Sequence, residues 1–146
     1  MRISEYRATI VVDVANVMGA RPDGWWRDRA GAAVRLHAEI AALAASGRPI
    51  LPGEAVLPGE TDEPEFVMIL EGAANAAGPR IRDVQSDRVR VVPAPGHGDD
   101  AIVAVVRELT GRRVVVVTAD RELRDRSAAE GAEVRSPGWL LGLLKP

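Results

Sequence analysis

The stretch Thr9-Ile10-Val11-Val12-Asp13-Val14-Ala15-Asn16 contains an apolar run that ends in a carboxylate, with an amide three residues later. An uninterrupted apolar run is typical of a central strand in a parallel sheet, because helices cover both faces of such a strand. Ligands bind to these sheets outside the carboxyl ends of the strands. The pattern therefore predicts a buried strand over residues 8–13 that brings Asp13 to the ligand-binding edge of the sheet.

The rest of the chain alternates further strands with helices. Apolar runs predict strands at residues 66–70, 88–92, 113–118 and 132–135. Apolar residues at helical spacing, with Gly stops and a Ser-Pro start, predict helices over 27–46, 99–110, 121–130 and 136–144. This alternation implies a mainly parallel sheet with right-handed crossovers, and hence a three-layer α/β/α fold in one domain spanning 1–146.

Three connections carry Gly, Pro and acidic residues instead of a regular pattern. The segment 14–24 is predicted to be a loop, and 73–87 a short helix with a loop. The proline-rich segment 48–65 is predicted to be a loop that includes a short extended piece at 54–57.

Composition excludes several classes of protein. The 146 residues are 47% hydrophobic, which argues against disorder. The absence of cysteine excludes a disulfide scaffold, a thiolate metal site and a cysteine nucleophile, and it fits a cytoplasmic location. No apolar run approaches the roughly 18 residues of a membrane span, and no signal peptide is expected. The net charge of −2 offers no global attraction for nucleic acid, so an RNA-binding role would depend on local arginines.

Acidic residues follow four of the predicted strands. They are Asp13, Glu71, the pair Asp99-Asp100, and Asp120. Carboxylates gathered at one edge repel one another, and a hard divalent cation with oxygen ligands relieves that repulsion. One or two Mg²⁺ or Mn²⁺ ions would polarise a phosphodiester and generate hydroxide. The alternative is that the acids only cap helices, since Asp99 and Asp120 stand where N-caps belong.

Three segments resemble the signature segments of the NYN branch of the PIN-like ribonucleases, especially the bacterial YacP-like group. They are Val12-Asp13-Val14-Ala15-Asn16, Gly98-Asp99-Asp100-Ala101-Ile102-Val103 and Val117-Thr118-Ala119-Asp120-Arg121-Glu122-Leu123. The resemblance extends from Thr9 to about Leu141 but does not cover the proline-rich segment 48–65. It implies a PIN-like, metal-dependent nuclease fold with five strands in the order 3-2-1-4-5.

The resemblance also implies roles for individual residues. Asp13, Asp99 and Asp120 would be the catalytic, metal-binding acids. Asn16 matches the amide that orients a water or the loop near the substrate, and Thr118 matches the hydroxyl residue before the last acid.

Two further acids are candidate metal ligands. Glu71 occupies the place of a strand-2 acid, and Asp100 is either a second ligand or a helix N-terminal charge. The sequence departs from the family pattern at Ala119, which replaces a small hydroxyl residue and, with the low isoelectric point, weakens the expectation of tight RNA binding.

Other side chains near this edge are candidates for binding substrate. Of the adjacent Trp25 and Trp26, one is expected to anchor its loop in the core and the other to stack on an unpaired base. His97 either donates a hydrogen bond to a phosphate or is a solvated loop residue. His37 is expected to be structural. The candidate phosphate-binding arginines are Arg21, Arg27, Arg121 and Arg124.

These observations predict an intracellular, metal-dependent endoribonuclease whose partner is single-stranded or structured RNA, with a homodimer left open. The alternative is a non-catalytic module that binds RNA or protein on the same fold. A phosphohydrolase is a third hypothesis, but Ala15 stands where a haloacid-dehalogenase-like enzyme has a second Asp, and Lys145 is the only lysine. No helix carries the clustered Arg-Glu-Glu pattern of a Nudix-type pyrophosphatase.

Overall fold

A computed structural model describes residues 7–51, 63–82, 87–109 and 111–145. Within these ranges one five-stranded sheet has the order β3-β2-β1-β4-β5, and each neighbouring pair is parallel. The strands are β1 (Thr9–Asp13), β2 (Glu65–Leu70), β3 (Val89–Pro93), β4 (Val114–Val117) and β5 (Glu133–Arg135). The predicted α/β fold with a mainly parallel sheet and its strand order are therefore confirmed.

The apolar run of β1 lies at the centre of the sheet. All five of its residues are buried, and it pairs with β2 on one side and β4 on the other. Because side chains alternate along a strand, Ile10 and Val12 belong to the core on one face, while Val11 belongs to the core on the other. The register places Asp13 opposite Ile69, one residue past the last pairing with β4. The strand therefore ends with its carboxylate at the carboxyl edge of the sheet.

Helices cover both faces of the sheet. In the described ranges they are α1 (Val14–Gly19), α2 (Arg29–Ala45), α3 (Ala77–Arg82), α4 (Gly98–Glu108), α5 (Arg121–Ala129) and α6 (Pro137–Leu144). Short 3₁₀ helices occur at Trp25–Arg27 and Gly72–Ala76. None of the helices in the described residues combines the length and apolar character that crossing a membrane requires.

The prediction of a loop over 14–24 is wrong in its first part, because α1 follows β1 directly. The Asp13 side chain accepts a hydrogen bond from the backbone N–H of Asn16 and so caps this helix. Val14, Val17 and Met18 are buried on one helical stripe. The cap and the apolar stripe outweigh the loop signals, which apply only to the residues that follow. The extended piece expected at 54–57 lies outside the described residues.

His37 is a structural residue of α2, as expected, and it makes the fold sensitive to acid. Its side chain is buried, and neither ring nitrogen has a hydrogen-bond partner in the described part of the chain. Burial lowers the pKa of His37 below its ordinary value of 6.5 because the charged form is poorly solvated there. The folded state therefore holds the neutral ring, whereas the unfolded chain takes up a proton below about pH 6.5.

The stabilising contribution of neutral His37 is thus complete above about pH 6.5 and is lost as the pH falls. We expect the free energy of unfolding to drop by about 1–2 kcal/mol more in the wild type than in His37→Leu between about pH 7.5 and pH 5. Denaturant melts at the two pH values measure this difference. An equal drop in both proteins would contradict the assignment.

Candidate active site

Four carboxylates from four strand ends lie at the carboxyl edge of the sheet. Asp13 ends β1, Glu71 follows β2, Asp99 lies in the first turn of α4, and Asp120 caps α5 after β4. The pKa of Asp13 is raised chiefly by burial and further by the charges of Glu71 and Asp99. The pKa of Asp99 is raised by burial and then by Asp120 and Glu71, and the charge of Arg126 offsets part of this rise. The four acids therefore act on one another electrostatically across the ends of four different strands.

Asp13 is the most buried of the four and is held by neighbouring polar groups. Its side-chain Oδ2 accepts hydrogen bonds from Asn16 Nδ2 at 2.8 Å and from Thr118 Oγ1 at 2.8 Å. These bonds favour the ionised form and oppose the effect of burial on its pKa. Oδ1 accepts a longer bond, 3.3 Å, from the backbone N–H of Asn16. A carboxylate has about four acceptor positions, so Oδ1 retains one.

Asn16 and Thr118 also join the first and last strand ends of the site. Asn16 Oδ1 accepts a hydrogen bond from the backbone N–H of Ala119 at 3.3 Å, and Thr118 Oγ1 accepts one from that of Asp120 at 3.1 Å. Thr118 is fully buried. The two side chains predicted to support the first acid therefore also hold the loop that carries the last one.

Three of the four acids cap helices, and the first of them is Asp13, which caps α1. Asp120 Oδ1 accepts a hydrogen bond from the backbone N–H of Leu123 at 2.9 Å, as the capping alternative predicted. Asp99 does not cap α4, since that helix has His97 at its N-cap. Instead Glu71 Oε2 accepts from the backbone N–H of Gly98 at 2.6 Å, so an acid after β2 caps the helix after β3.

The four carboxylates fit a hard divalent cation only if most of its ligands come from water or substrate. Among the described residues, no three acidic or histidine side chains converge closely enough to hold a metal ion together. No Arg or Lys in that part of the chain forms an ion pair or side-chain hydrogen bond with Asp13, Glu71, Asp99 or Asp120. Mg²⁺ is often bound by one or two carboxylates, with waters and substrate phosphates completing its shell. The residues fit that kind of site and do not form a closed protein cage.

Several other candidate residues have partners elsewhere. The Asp100 side chain is 81% exposed and pairs with Arg126 at 3.0 Å. Arg21 forms a bidentate pair with Glu39 at 2.7 and 2.8 Å. Asp100 and Arg21 are therefore engaged in ion pairs with residues other than the four acids.

The arginines at the two ends of the site remain exposed. Arg121 and Arg124 lie on α5, where they line a surface depression beside β5. Arg27 lies over the ring of Trp26, with 5.8 Å between the guanidinium carbon and the ring centroid. Only Arg121 directly follows one of the acids in the chain.

A pocket of about 510 Å³ adjoins the acids, and Glu71 is part of its wall. Trp25 and His97 line it, as do Arg29 and Asn75. Trp25 is half-buried against the core, whereas Trp26 is 54% exposed. One tryptophan therefore anchors the loop as expected, but the same ring also lines the pocket.

Sequence reasoning missed Arg29 and Asn75. The contact between Arg29 and Trp25 joins two separate helices, so helical spacing gave no signal for the first. Asn75 carried no signal either, because the segment 73–87 that contains it was predicted only as a short helix with a loop.

A parallel sheet in this order, with acids at its carboxyl edge, is what the resemblance to PIN-like proteins predicted. No family model matches the chain, and no curated protein matches it significantly in sequence. Among solved structures, it is similar to the crystal structure of the W164L mutant of Rae1 (YacP) from Bacillus subtilis. The TM-score is 0.66 over 94% of this chain and 74% of that chain, at 16% sequence identity. At this identity the similarity shows the fold, so the predicted YacP-like resemblance is confirmed at the level of the fold.

Proposed function

We propose that this chain is a cytoplasmic, metal-dependent endoribonuclease that hydrolyses RNA phosphodiester bonds at the carboxyl edge of its sheet. The observation that carries this proposal is the mutual repulsion of Asp13, Glu71, Asp99 and Asp120, with no cationic side chain of the described residues bonded to them. The similarity of the fold to Rae1 (YacP) also supports a ribonuclease activity.

In this proposal Asp13 and Asp99 hold one Mg²⁺ or Mn²⁺, with Asp120 and Glu71 near it. Such an ion, when bound, polarises a phosphoryl oxygen and lowers the pKa of a water. Asn16 and Thr118 keep the Asp13 carboxylate ionised and oriented by donating to Oδ2. Arg121 provides a positive charge for a phosphate on the side of Asp120, where its exposed side chain has the freedom to turn.

A non-catalytic RNA- or protein-binding module is the second candidate. One observation favours it, namely that no three potential ligands in the described residues converge on one point. The two functions differ in their need for metal, because a binding module has no requirement for a cation at this edge.

Metal binding separates the two candidates before any natural substrate is known. We expect Mn²⁺ at about ten times its dissociation constant to stabilise the wild type by about 1.4 kcal/mol, a rise in melting temperature of about 3–6 °C. Asp99→Asn should lose this rise because it removes a ligand charge, whereas Asp87→Asn should keep it. Asp87 is an exposed acid just before β3, at the opposite edge of the sheet.

Cleavage of a single-stranded RNA is measured with the same proteins. Cleavage by the wild type in Mn²⁺ that stops in EDTA is the expected result. If the melting temperature were unchanged by Mn²⁺ or Mg²⁺ and no RNA were cut, the binding module would be the better account.

A further inference from the structure

The pocket beside the acids is built from two parts of the chain that the sheet brings together. On one side is the 3₁₀ helix that carries Trp25, whose backbone N–H donates to Asp23 Oδ1 at 3.2 Å. On the other side is the loop that ends in His97. Glu71 lines the pocket and bonds to the backbone of Gly98, the residue before Asp99. A ligand in the pocket therefore contacts Glu71, at the same edge of the sheet as the other three carboxylates.

The pocket offers an aromatic ring with a cation over one of its faces. The guanidinium carbon of Arg29 lies 5.3 Å from the centroid of the Trp25 ring. Met18 and Ala15 add apolar wall on the same side. Tryptophan rings and arginine planes are surfaces on which nucleobases stack, and the volume of about 510 Å³ is within the range of small-molecule sites.

One polar atom in the wall lacks a partner. Asn75 Nδ2 donates to the backbone oxygen of Ala94 at 3.1 Å, which fixes the orientation of the amide. Asn75 Oδ1 is buried and accepts no hydrogen bond from the residues that the structure describes. Leaving a buried acceptor unpaired costs free energy; this atom has almost no accessible surface, so an N–H donor on a ligand relieves that cost only after the amide shifts toward the pocket. Nucleobases carry such donors on their edges.

We propose that this pocket binds one unpaired base of a single-stranded RNA, next to the phosphate that is cut. The choice of RNA rests on the proposed ribonuclease function, whereas the aromatic surface and the unpaired acceptor are independent of it. A base inside a duplex is stacked and paired, so the pocket selects single-stranded segments. Trp25 is thus a specificity-determining residue.

The test measures binding without turnover. A labelled single-stranded oligoribonucleotide is titrated by fluorescence anisotropy in EDTA and low salt, with a duplex of the same length as a comparison. We expect Trp25→Ala to weaken binding of the single strand by about 5- to 100-fold, the range of one base stack. Trp26→Ala removes a neighbouring exposed ring outside the pocket wall and should change binding less than about twofold. Trp25→Phe should restore part of the loss.

A scan of abasic positions makes the test independent of how well Trp25→Ala folds. In wild-type protein, removal of one particular base should weaken binding as much as Trp25→Ala does, and removal of the others should have little effect. An even loss over all positions, or equal losses in Trp25→Ala and Trp26→Ala, would overturn the pocket assignment. Trp25-dependent binding without cleavage in any metal would overturn the ribonuclease proposal and support the pocket. RNA cleavage together with unchanged binding in Trp25→Ala would overturn the pocket assignment and support the ribonuclease proposal.

Discussion

Asp13→Asn and Asp120→Asn are each expected to reduce metal-dependent RNA cleavage by roughly 10³-fold or more. Each change removes a negative charge from the proposed cation site, and several kcal/mol of transition-state stabilisation depend on that charge. Asn at position 120 can still cap α5, because asparagine accepts from a backbone N–H as well as aspartate does. The loss is therefore expected to come from chemistry, and single-turnover cleavage in Mn²⁺ measures it.

Asp13→Asn should also leave the protein as stable as the wild type or more stable. Burial and the neighbouring acids raise the pKa of Asp13, so ionising this carboxyl costs more free energy in the folded chain than in the unfolded chain. This cost is present above the folded pKa and disappears as the pH falls toward the ordinary value of 3.8. An uncharged Asn removes the cost, although it places an amide near the N–H of Asn16.

Asp87→Asn is the matched control, because it makes the same chemical change at an exposed position on the opposite edge of the sheet. Cleavage by Asp87→Asn should stay within about twofold of the wild type. Full cleavage by Asp13→Asn would contradict the proposed site, and so would a loss of activity accompanied by a lower melting temperature in EDTA.

The sequence predicted most of the fold because its strongest signals are local. Four consecutive valines and the run before Asp13 are short and β-branched, which favours buried strands, and Gly131 and Ser136-Pro137 mark the ends of neighbouring elements. Strand ends then predicted which acids would share an edge, since parallel strands all end on the same side.

The rest depended on contacts between residues far apart in the chain. The bond from Gly98 to Glu71 spans 27 residues, and the Arg21–Glu39 pair spans 18. Neither contact produces a periodic pattern in the sequence, so neither could be predicted from it. The cap of α1 was local, but residues 14–24 were predicted as a loop, so the helix that Asp13 caps was missed.

Thr118 contributes both to the fold and to the proposed chemistry. Its hydroxyl donates to Asp13 and accepts from the backbone of Asp120, so one oxygen joins the ends of β1 and β4. A carboxylate held in this way keeps its position when its charge is uncompensated. A positioning role of this kind is separable from a packing role, because a valine of nearly the same shape fills the same space.

Thr118→Val is expected to lower cleavage by about 10- to 100-fold, the usual effect of losing a group that orients a metal ligand. The free energy of unfolding should fall by about 1–3 kcal/mol, because the N–H of Asp120 loses its acceptor. The hydrogen bond from Thr118 lowers the pKa of Asp13, so without it the acidic limb of the pH–rate profile should move to higher pH. Thr118→Ser keeps the hydroxyl and should retain the wild-type profile with activity within about threefold. A valine variant with the same profile as the serine variant would mean that Thr118 only packs. A shift confined to the valine variant would mean that its hydroxyl sets the charge and orientation of Asp13.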